Sequence, residues 1–212
     1  MANDTLAENL SAGLVSLFSK SPEPEQLRQL LTYLQLLHRW NKSFNLTAVR
    51  DPEEMVARHL LDSVSVLPWI DFGPLLDAGA GAGLPGIPLA IMRPDLEVTL
   101  LDSSGKKVRF MNHVARALPL PNIHPVQDRL ESWMSDEPPR IIISRAFAEL
   151  SEFVRVSRHL TGPETRLLAM KGKYPESELE NLPAWLRVDS VEKLTVPGLQ
   201  EDRHLVIMSL NP

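Results

Sequence analysis

The 212-residue sequence contains no cysteine. This absence excludes disulfide bonds, metal sites with cysteine ligands and catalysis by a thiolate. The sequence also lacks an apolar run of the roughly 18 residues that would span a bilayer. Its first residues, MANDTLAENLSAG, have neither the basic start nor the apolar core of a secretory signal. We therefore expect a cytoplasmic protein.

Basic side chains are in the minority: 22 lysines and arginines stand against 27 aspartates and glutamates, a formal net charge of −5. This balance speaks against a general nucleic-acid-binding protein. The charge is uneven, however, because residues 91–173 carry more basic than acidic side chains. A locally positive face on an acidic protein can still bind RNA.

Helical patterns fill the first third of the chain. Leucines at helical spacing predict an amphipathic helix whose apolar stripe is core: Leu27, Leu30, Leu31, Leu34 and Leu37. A further helix is predicted from Asp51, which can cap it, to Pro68, and a shorter one near residues 5–18. We predict that residues 1–72 form a helical extension that packs against the rest of the chain.

From Gly73 onward, short apolar runs alternate with amphipathic segments. Strands are predicted at PLLDA, EVTLLD, NIHPV, PRIIISRA and TRLLAMKG, and helices at PGIPLAIMRP and SGKKVRFMNHVARAL. This alternation is typical of a parallel α/β sheet covered on both faces. The last two strands, RVDSVEKLTV and RHLVIMSL, predict an antiparallel hairpin at one edge. Residues 73–212 are thus predicted to form one α/β domain.

A glycine-rich turn follows the first predicted strand. In LLDAGAGAGLPGIPL, Gly81, Gly83 and Gly86 have G-x-G-x-x-G spacing. Glycines in this turn let backbone amides approach a ligand and permit positive φ. A tight strand-to-helix turn without a ligand is the alternative explanation, since this motif alone is a weak signal.

Asp102 ends the next predicted strand, where a carboxylate can accept both hydroxyls of a ribose. A dinucleotide and S-adenosylmethionine both fit such a site. The tyrosine and lysine pair of many dehydrogenases is absent, because neither Tyr33 nor Tyr174 is followed by lysine four residues later. Asp77, just before the glycines, favours S-adenosylmethionine, whose amino-acid end is cationic. We therefore predict a methyltransferase.

The sequence also limits which atom of the substrate can be methylated. Methylation of pyrimidine carbon commonly uses a cysteine nucleophile, which is absent here. The Asn/Asp-Pro-Pro-aromatic motif of many exocyclic amine methyltransferases is replaced by SRAF at the end of the fourth strand. A ring nitrogen such as guanine N7 carries a free lone pair and needs only to be aligned with the methyl group. We therefore predict no catalytic acid or base.

The chain resembles the bacterial small-subunit ribosomal RNA guanine-N7 methyltransferase G family, also called glucose-inhibited division protein B. The resemblance covers nearly the whole chain and rests on WNKSFNLTAVRDPEEMVARHLLDS, LLDAGAGAGLPGIPLAIMRP, LLDSSGKKVRF, ISRAFAEL, AMKG and EDRHLVI. It implies a Rossmann-like class I fold and methylation of a guanine in the decoding-region loop of 16S rRNA. It also implies S-adenosylmethionine as cofactor, 16S rRNA or the small ribosomal subunit as partner, and neither metal nor membrane.

The resemblance implies cofactor contacts at Gly79, Leu84, Leu130, Glu131 and Arg145. The general pattern of the fold adds Asp77 and Asp102, and the glycine motif adds Gly81 and Gly83. The chain departs from the family at Ala80, where the family usually has threonine or serine. One hydroxyl donor to the cofactor is therefore lost.

Basic residues at predicted strand ends and at one helix start are candidates for rRNA binding: Arg145, Lys171, Arg203 and Lys106. A charge at the end of a buried strand needs a partner, so Arg145 should meet the cofactor, a phosphate or an acid such as Asp77 or Glu131. For His59, a buried pairing is expected in preference to a metal site.

Two other functions fit the sequence less well. One is a methyltransferase that acts on a small molecule or on a protein. The other is a nucleotide-binding regulator without catalytic activity.

Overall fold

The computed structural model describes residues 2–145 and 147–211. The chain begins with helices α1 (Ala2–Phe18) and α2 (Pro24–Phe44). A helical stretch follows that comprises α3 (Pro52–Met55), a π-helical segment (Val56–Leu61) and α4 (Asp62–Val64). The predicted cap is confirmed, because the Asp51 side chain accepts a hydrogen bond from the Glu53 amide. None of the helices in these described residues is long and apolar enough to cross a membrane.

Seven strands form the sheet: β1 (Leu75–Ala78), β2 (Val98–Asp102), β3 (Ile123–Gln127), β4 (Ile141–Ser144), β5 (Arg166–Lys171), β6 (Leu186–Leu194) and β7 (Arg203–Leu210). Their order is β3-β2-β1-β4-β5-β7-β6. β1 to β5 are parallel, and β7 runs antiparallel between β5 and the edge strand β6. The predicted mostly parallel sheet with an antiparallel edge hairpin is confirmed. Ala146, which the fourth predicted strand included, lies outside the described residues.

Four further α-helices follow β1 in the described residues: α5 (Gly86–Met92), α6 (Gly105–Ala117), α7 (Leu150–Ser157) and α8 (Glu176–Leu179). Short 3-10 helices lie at Leu67–Trp69 and Arg158–Leu160. α5 and α6 agree with the predicted helices. α7 was not predicted. It is a short helix between β4 and β5 that buries Leu150, Phe153 and Val154 at helical spacing against one face of the sheet.

The sheet separates two apolar clusters, because alternate strand residues face opposite sides. Leu76 and Ile142 face the α7 side, whereas Leu75 and Ile141 face the opposite side. The predicted stripe of α2 is confirmed as core and joins the second of these clusters together with α1, α5 and α6. The apolar cluster is thus continuous across residue 72. The division into an extension and a domain at that residue stays a prediction.

Helix α2 also holds the glycine turn that follows β1. Tyr33 is fully buried, and its hydroxyl donates a hydrogen bond of 2.9 Å to the Ala82 carbonyl inside that turn. Burial raises the pKa of Tyr33, so the hydroxyl keeps the proton that it donates. An N-terminal helix therefore fixes the position of a loop 49 residues further along the chain.

We expect Tyr33→Phe to lower the free energy of unfolding by about 1–3 kcal/mol, because the buried Ala82 carbonyl loses its donor. Urea denaturation measures this change. Tyr174→Phe removes the same hydroxyl from a ring that is 55% exposed and serves as the matched control. Equal effects of the two substitutions would contradict a structural role for the bond between Tyr33 and the turn.

Candidate active site

The turn between β1 and α5 requires its glycines. Gly79, Gly81 and Gly83 have φ values of 75°, 62° and 88°, a region that glycine adopts without strain. A Cβ on Gly83 would lie 2.2 Å from Ile87 Cδ1. The Gly79 and Ala80 amides donate to the Leu101 carbonyl, each at 2.9 Å, which closes the turn over the end of β2.

Asp77 lies fully buried at the base of this turn. Its Oδ2 accepts a 2.8 Å hydrogen bond from the Gly86 amide, whereas Oδ1 has no hydrogen-bond partner among the described residues. Burial raises the pKa of this carboxyl to about 7. A Cβ on Gly86 would lie 2.8 Å from Asp77 Oδ2, so the glycine leaves space for the acid. An unpaired buried acceptor of this kind fits a cationic group.

Asp102, at the end of β2, connects three parts of the site. Its Oδ2 accepts from the Gly81 amide at 2.9 Å and from Lys107 Nζ at 3.1 Å, and its Oδ1 accepts from the Ser104 amide at 2.8 Å. The side chain of Asp102 is 6% exposed. The acid therefore holds the glycine turn and the start of α6 at one point.

A cavity of about 240 Å³ opens beside this acid. We call it the Asp102 cavity. It brings together four of the predicted cofactor residues: Gly79, Asp102, Leu130 and Glu131. Leu101, Ser103, Lys107, Asp128, Arg129 and Phe147 complete its lining. A lining that combines carboxylates, backbone and apolar side chains suits a nucleoside, which has a polar ribose and a flat base.

The other predicted cofactor residues in and before the glycine turn lie outside the described lining of this cavity. Leu84 is buried, and its amide donates to the Ala80 carbonyl at 2.8 Å. In the described chain, Leu84, Gly81, Gly83 and Asp77 do not line the Asp102 cavity. Their predicted contacts with the cofactor stay predictions.

A second cavity, of about 350 Å³, lies between the π-helical segment, the end of β5 and the start of β7. We call it the Asp62 cavity. It brings together three predicted rRNA-binding residues: Arg145, Lys171 and Arg203. Its lining also includes Val49, Arg58, His59, Asp62, Met170 and Gly172. Of the residues that the structure describes, none lines both cavities.

Arg145 forms an ion pair with Asp62. The sequence had suggested Asp77 or Glu131 as its acidic partner. Arg145 Nη1 lies 3.1 Å from Asp62 Oδ2 and also donates to the Arg58 carbonyl. Both bonds go to the N-terminal helices, and in the described chain Arg145 does not line the Asp102 cavity, although its charge acts on Asp77 and opposes the effect of burial on that pKa. The predicted contact of Arg145 with the cofactor stays a prediction. Arg203 Nε donates to the other oxygen of Asp62 at 3.0 Å.

The two predicted lysines differ in their surroundings. Lys171 Nζ is bonded to the Ala148 carbonyl and lies 2.9 Å from Glu178 Oε2, and its side chain is 12% exposed. Its charge is therefore already balanced within the protein. Lys106 is exposed and donates to the Phe44 carbonyl at the end of α2, apart from the Asp62 cavity.

His59 forms the expected buried pairing. Its Nδ1 lies 3.0 Å from the Arg58 carbonyl and its Nε2 lies 2.9 Å from Thr47 Oγ1. Burial, helped by the charge of Arg145, lowers the pKa of this imidazole to about 4. The ring is therefore neutral near pH 7. In the described part of the chain, no group of three His, Asp or Glu residues is placed to hold a metal ion.

Several lining residues were not predicted as site residues, and two of them form ion pairs within the site: Lys107 with Asp102, and Asp62 with Arg145 and Arg203. The signal for Asp62 is present, because it is an acid within HLLDSVSV, a segment that is buried throughout. A buried carboxylate needs a partner of opposite charge.

A larger cavity, of about 680 Å³, lies between α1, the π-helical segment and the loop before β7. None of the predicted site residues lines it within the described ranges 2–145 and 147–211. The volume of a cavity therefore does not identify the active site. The smaller Asp102 cavity is the better candidate, because it is lined by carboxylates and apolar side chains that suit a nucleoside.

Solved structures share this fold. A SAM-dependent methyltransferase from Aquifex aeolicus superposes with a TM-score of 0.59 at 19% identity, and covers 78% of this chain and 97% of that protein. TrmN from Thermus thermophilus superposes with a TM-score of 0.57 at 15% identity, and covers 74% of this chain and 53% of that protein. At these identities the similarity shows the methyltransferase fold.

Sequence similarity is much stronger to one family. The sequence model described as rRNA small subunit methyltransferase G matches residues 26–206. Proteins named ribosomal RNA small subunit methyltransferase G from Escherichia fergusonii and Shigella flexneri are 50% identical over 186 residues, which are 88% of this chain and 90% of each relative. The chain belongs to the rRNA small subunit methyltransferase G family.

Proposed function

We propose that this protein methylates N7 of a guanine in the decoding-region loop of 16S rRNA, with S-adenosylmethionine as cofactor, in the cytoplasm. The observation that carries the proposal is the meeting of Gly79, Asp102, Leu130 and Glu131 around one cavity. This cavity lies beyond the carboxyl ends of parallel strands, where α/β folds bind their ligands. Membership of the rRNA small subunit methyltransferase G family supports rRNA as the substrate.

The residues present fit S-adenosylmethionine. Asp102 and Glu131 supply carboxylates for ribose hydroxyls, Leu130 and Phe147 supply an apolar wall for the adenine, and Gly79 lets the backbone come close. The unpaired Oδ1 of Asp77 suits the ammonium of the amino-acid end. When bound, the cofactor supplies an electrophilic methyl group.

The protein's own part in the reaction is positioning. Guanine N7 carries a free lone pair near neutral pH, so a residue that removes a proton is not required. Holding two reactants in line lowers the barrier without acid or base catalysis. We accordingly assign no catalytic acid or base. The glycine turn, which is hydrogen-bonded to both Asp77 and Asp102, gives the cofactor a fixed position.

The rRNA side of the site lies at the Asp62 cavity in this proposal. Arg145 and Arg203 line it and are partly exposed, with side-chain exposures of 26% and 20%. Lys106 is a separate candidate for a phosphate contact near the end of α2. Residues 1–72 form an extension to the domain at 73–212, and this extension supplies Asp62 and Tyr33 to the site.

We expect the protein to transfer tritium from labelled S-adenosylmethionine to the small-subunit rRNA of cells that lack the enzyme, with the label at guanine N7. Gly79→Asp should reduce the transfer at least a hundredfold, because it places a charged side chain at a φ of 75° beside Asp102. Digestion of the rRNA and mass spectrometry of the nucleosides identify the modified base.

Gly198→Asp is the matched control. It imposes the same substitution at a φ of 80° in the loop between β6 and β7, at a residue that lines neither the Asp102 nor the Asp62 cavity. Label on a pyrimidine or on ribose would contradict the proposal, as would transfer confined to small molecules or to a protein.

We expect the affinity for S-adenosylhomocysteine to fall as the pH is lowered from 8 to 6. The pKa of Asp77 is raised to about 7, so below that pH the carboxyl gains a proton and stops attracting the ligand ammonium. The affinity should decrease by up to about tenfold per pH unit below the pKa. Titration calorimetry at several pH values measures it.

Asp77→Asn should bind the ligand weakly and without this pH dependence. Asp95→Asn, which neutralises an exposed acid paired with Arg93, should keep the wild-type profile. If Asp77→Asn shows the same pH dependence as the wild type, Asp77 is not the group responsible.

A further inference from the structure

We propose that Asp62 is a positioning residue: its buried carboxylate holds Arg145 and Arg203 side by side so that together they bind one phosphate group of the rRNA. This inference rests on the proposed function and adds to it. It assigns the ligand chemistry of the Asp62 cavity and the residue that creates it. Asp62 itself does not touch the RNA.

The geometry shows one acid shared by two arginines. Asp62 Oδ2 lies 3.1 Å from Arg145 Nη1, and Asp62 Oδ1 lies 3.0 Å from Arg203 Nε. The arginines come from the end of β4 and the start of β7, on either side of β5. Two guanidinium groups this close would repel each other without an anion between them. The carboxylate therefore determines where both groups lie.

Among the described residues that line the cavity, positive charges outnumber negative ones. Two guanidinium groups against the one carboxylate of Asp62 leave a formal surplus of one positive charge. The other two cations of the lining, Arg58 and Lys171, pair with three acids that lie outside the lining, Glu54, Glu201 and Glu178. The formal charges of all these groups together sum to zero, so the positive surplus is confined to the residues that face the cavity. His59 is neutral near pH 7 because burial lowers its pKa to about 4. The cavity thus suits one anion.

The exposures show which groups such an anion would meet. The Asp62 side chain is 3% exposed, whereas those of Arg145 and Arg203 are 26% and 20% exposed. Arg145 makes both of its hydrogen bonds through Nη1, and Arg203 uses Nε and Nη1. Within the described residues, Nη2 of each arginine makes no hydrogen bond. Guanidinium N–H groups of this kind match the oxygens of a phosphate.

The position of the cavity favours rRNA phosphate over the carboxylate of the cofactor. Asp102, Leu130 and Glu131, which are expected to hold the nucleoside, line the Asp102 cavity and not the Asp62 cavity. Arg145, for which the resemblance also implies a cofactor contact, lines the Asp62 cavity, so the test below includes the affinity for the cofactor product. The two cavities lie at the same edge of the sheet, because both contain residues at the carboxyl ends of parallel strands. An RNA strand at the Asp62 cavity would therefore pass beside the cofactor.

The test is Asp62→Asn, which removes the charge and keeps the size of the side chain. We expect the KM for small-subunit rRNA to rise about tenfold or more, as for the loss of a strong charge-assisted contact. The kcat at saturating rRNA should change much less, and the affinity for S-adenosylhomocysteine should stay within about twofold, a change worth only some 0.4 kcal/mol. If Asp62 had no positioning role, removing its negative charge would instead increase the attraction of the protein for RNA and lower the KM.

Glu201→Gln is the matched control. It removes one negative charge from the same region, and its partner Arg58 also lines the cavity, but Glu201 holds neither Arg145 nor Arg203. We expect its KM for rRNA to stay the same or to fall. A fall in KM for both variants would overturn the inference, because net charge alone would then explain the results.

A second variant covers the case in which Asp62→Asn does not fold, which circular dichroism would show. Arg203→Lys keeps the positive charge at a partly exposed position but loses the guanidinium geometry. We expect its KM for rRNA to rise about tenfold with the affinity for S-adenosylhomocysteine unchanged. An unchanged KM in Arg203→Lys would contradict a site built from two guanidinium groups.

The outcomes separate this inference from the proposed function. If the wild-type protein does not methylate rRNA, the proposed function fails. If the wild type is active and Asp62→Asn has a normal KM for rRNA, the positioning role fails alone. Loss of S-adenosylhomocysteine binding with an unchanged KM for rRNA would assign the arginines to the cofactor and overturn the inference.

Discussion

The turn between β1 and α5 is held from two sides by buried carboxylates, and the rest of the site depends on this arrangement. Asp77 accepts the Gly86 amide at the end of the turn, and Asp102 accepts the Gly81 amide in its middle. Both bonds require positions without a Cβ or with positive φ, which explains the glycines. The turn is therefore a fixed backbone surface beside the Asp102 cavity.

The N-terminal helices are part of the site, although they precede the sheet in the chain. Tyr33 of α2 bonds to the glycine turn, and Asp62 of α4 bonds to Arg145 and Arg203. One contact stabilises the surface proposed to bind the cofactor, and the other arranges the charges proposed to bind rRNA. The continuous apolar cluster supports both contacts. The N-terminal helices thus contact the surroundings of two cavities that share no lining residue among those described.

The fold could be predicted from the sequence because its signals are local: apolar strands, the helical spacing of leucines and the glycine turn. The meeting of Gly79 and Asp102 followed from their places after neighbouring strands. Helix α7 was not predicted, because its eight residues are too few to give a clear helical pattern. The pairing of Arg145 with Asp62 could not be predicted either, since 83 residues separate the two and only the packing of α4 brings them together.

The central claim is that the glycine turn and Asp102 form a site for S-adenosylmethionine. Titration calorimetry of the folded protein with S-adenosylhomocysteine tests it most directly, because this product analogue is not consumed. The account predicts saturable binding with one site per chain. A folded protein that shows no saturable binding of S-adenosylhomocysteine would contradict it.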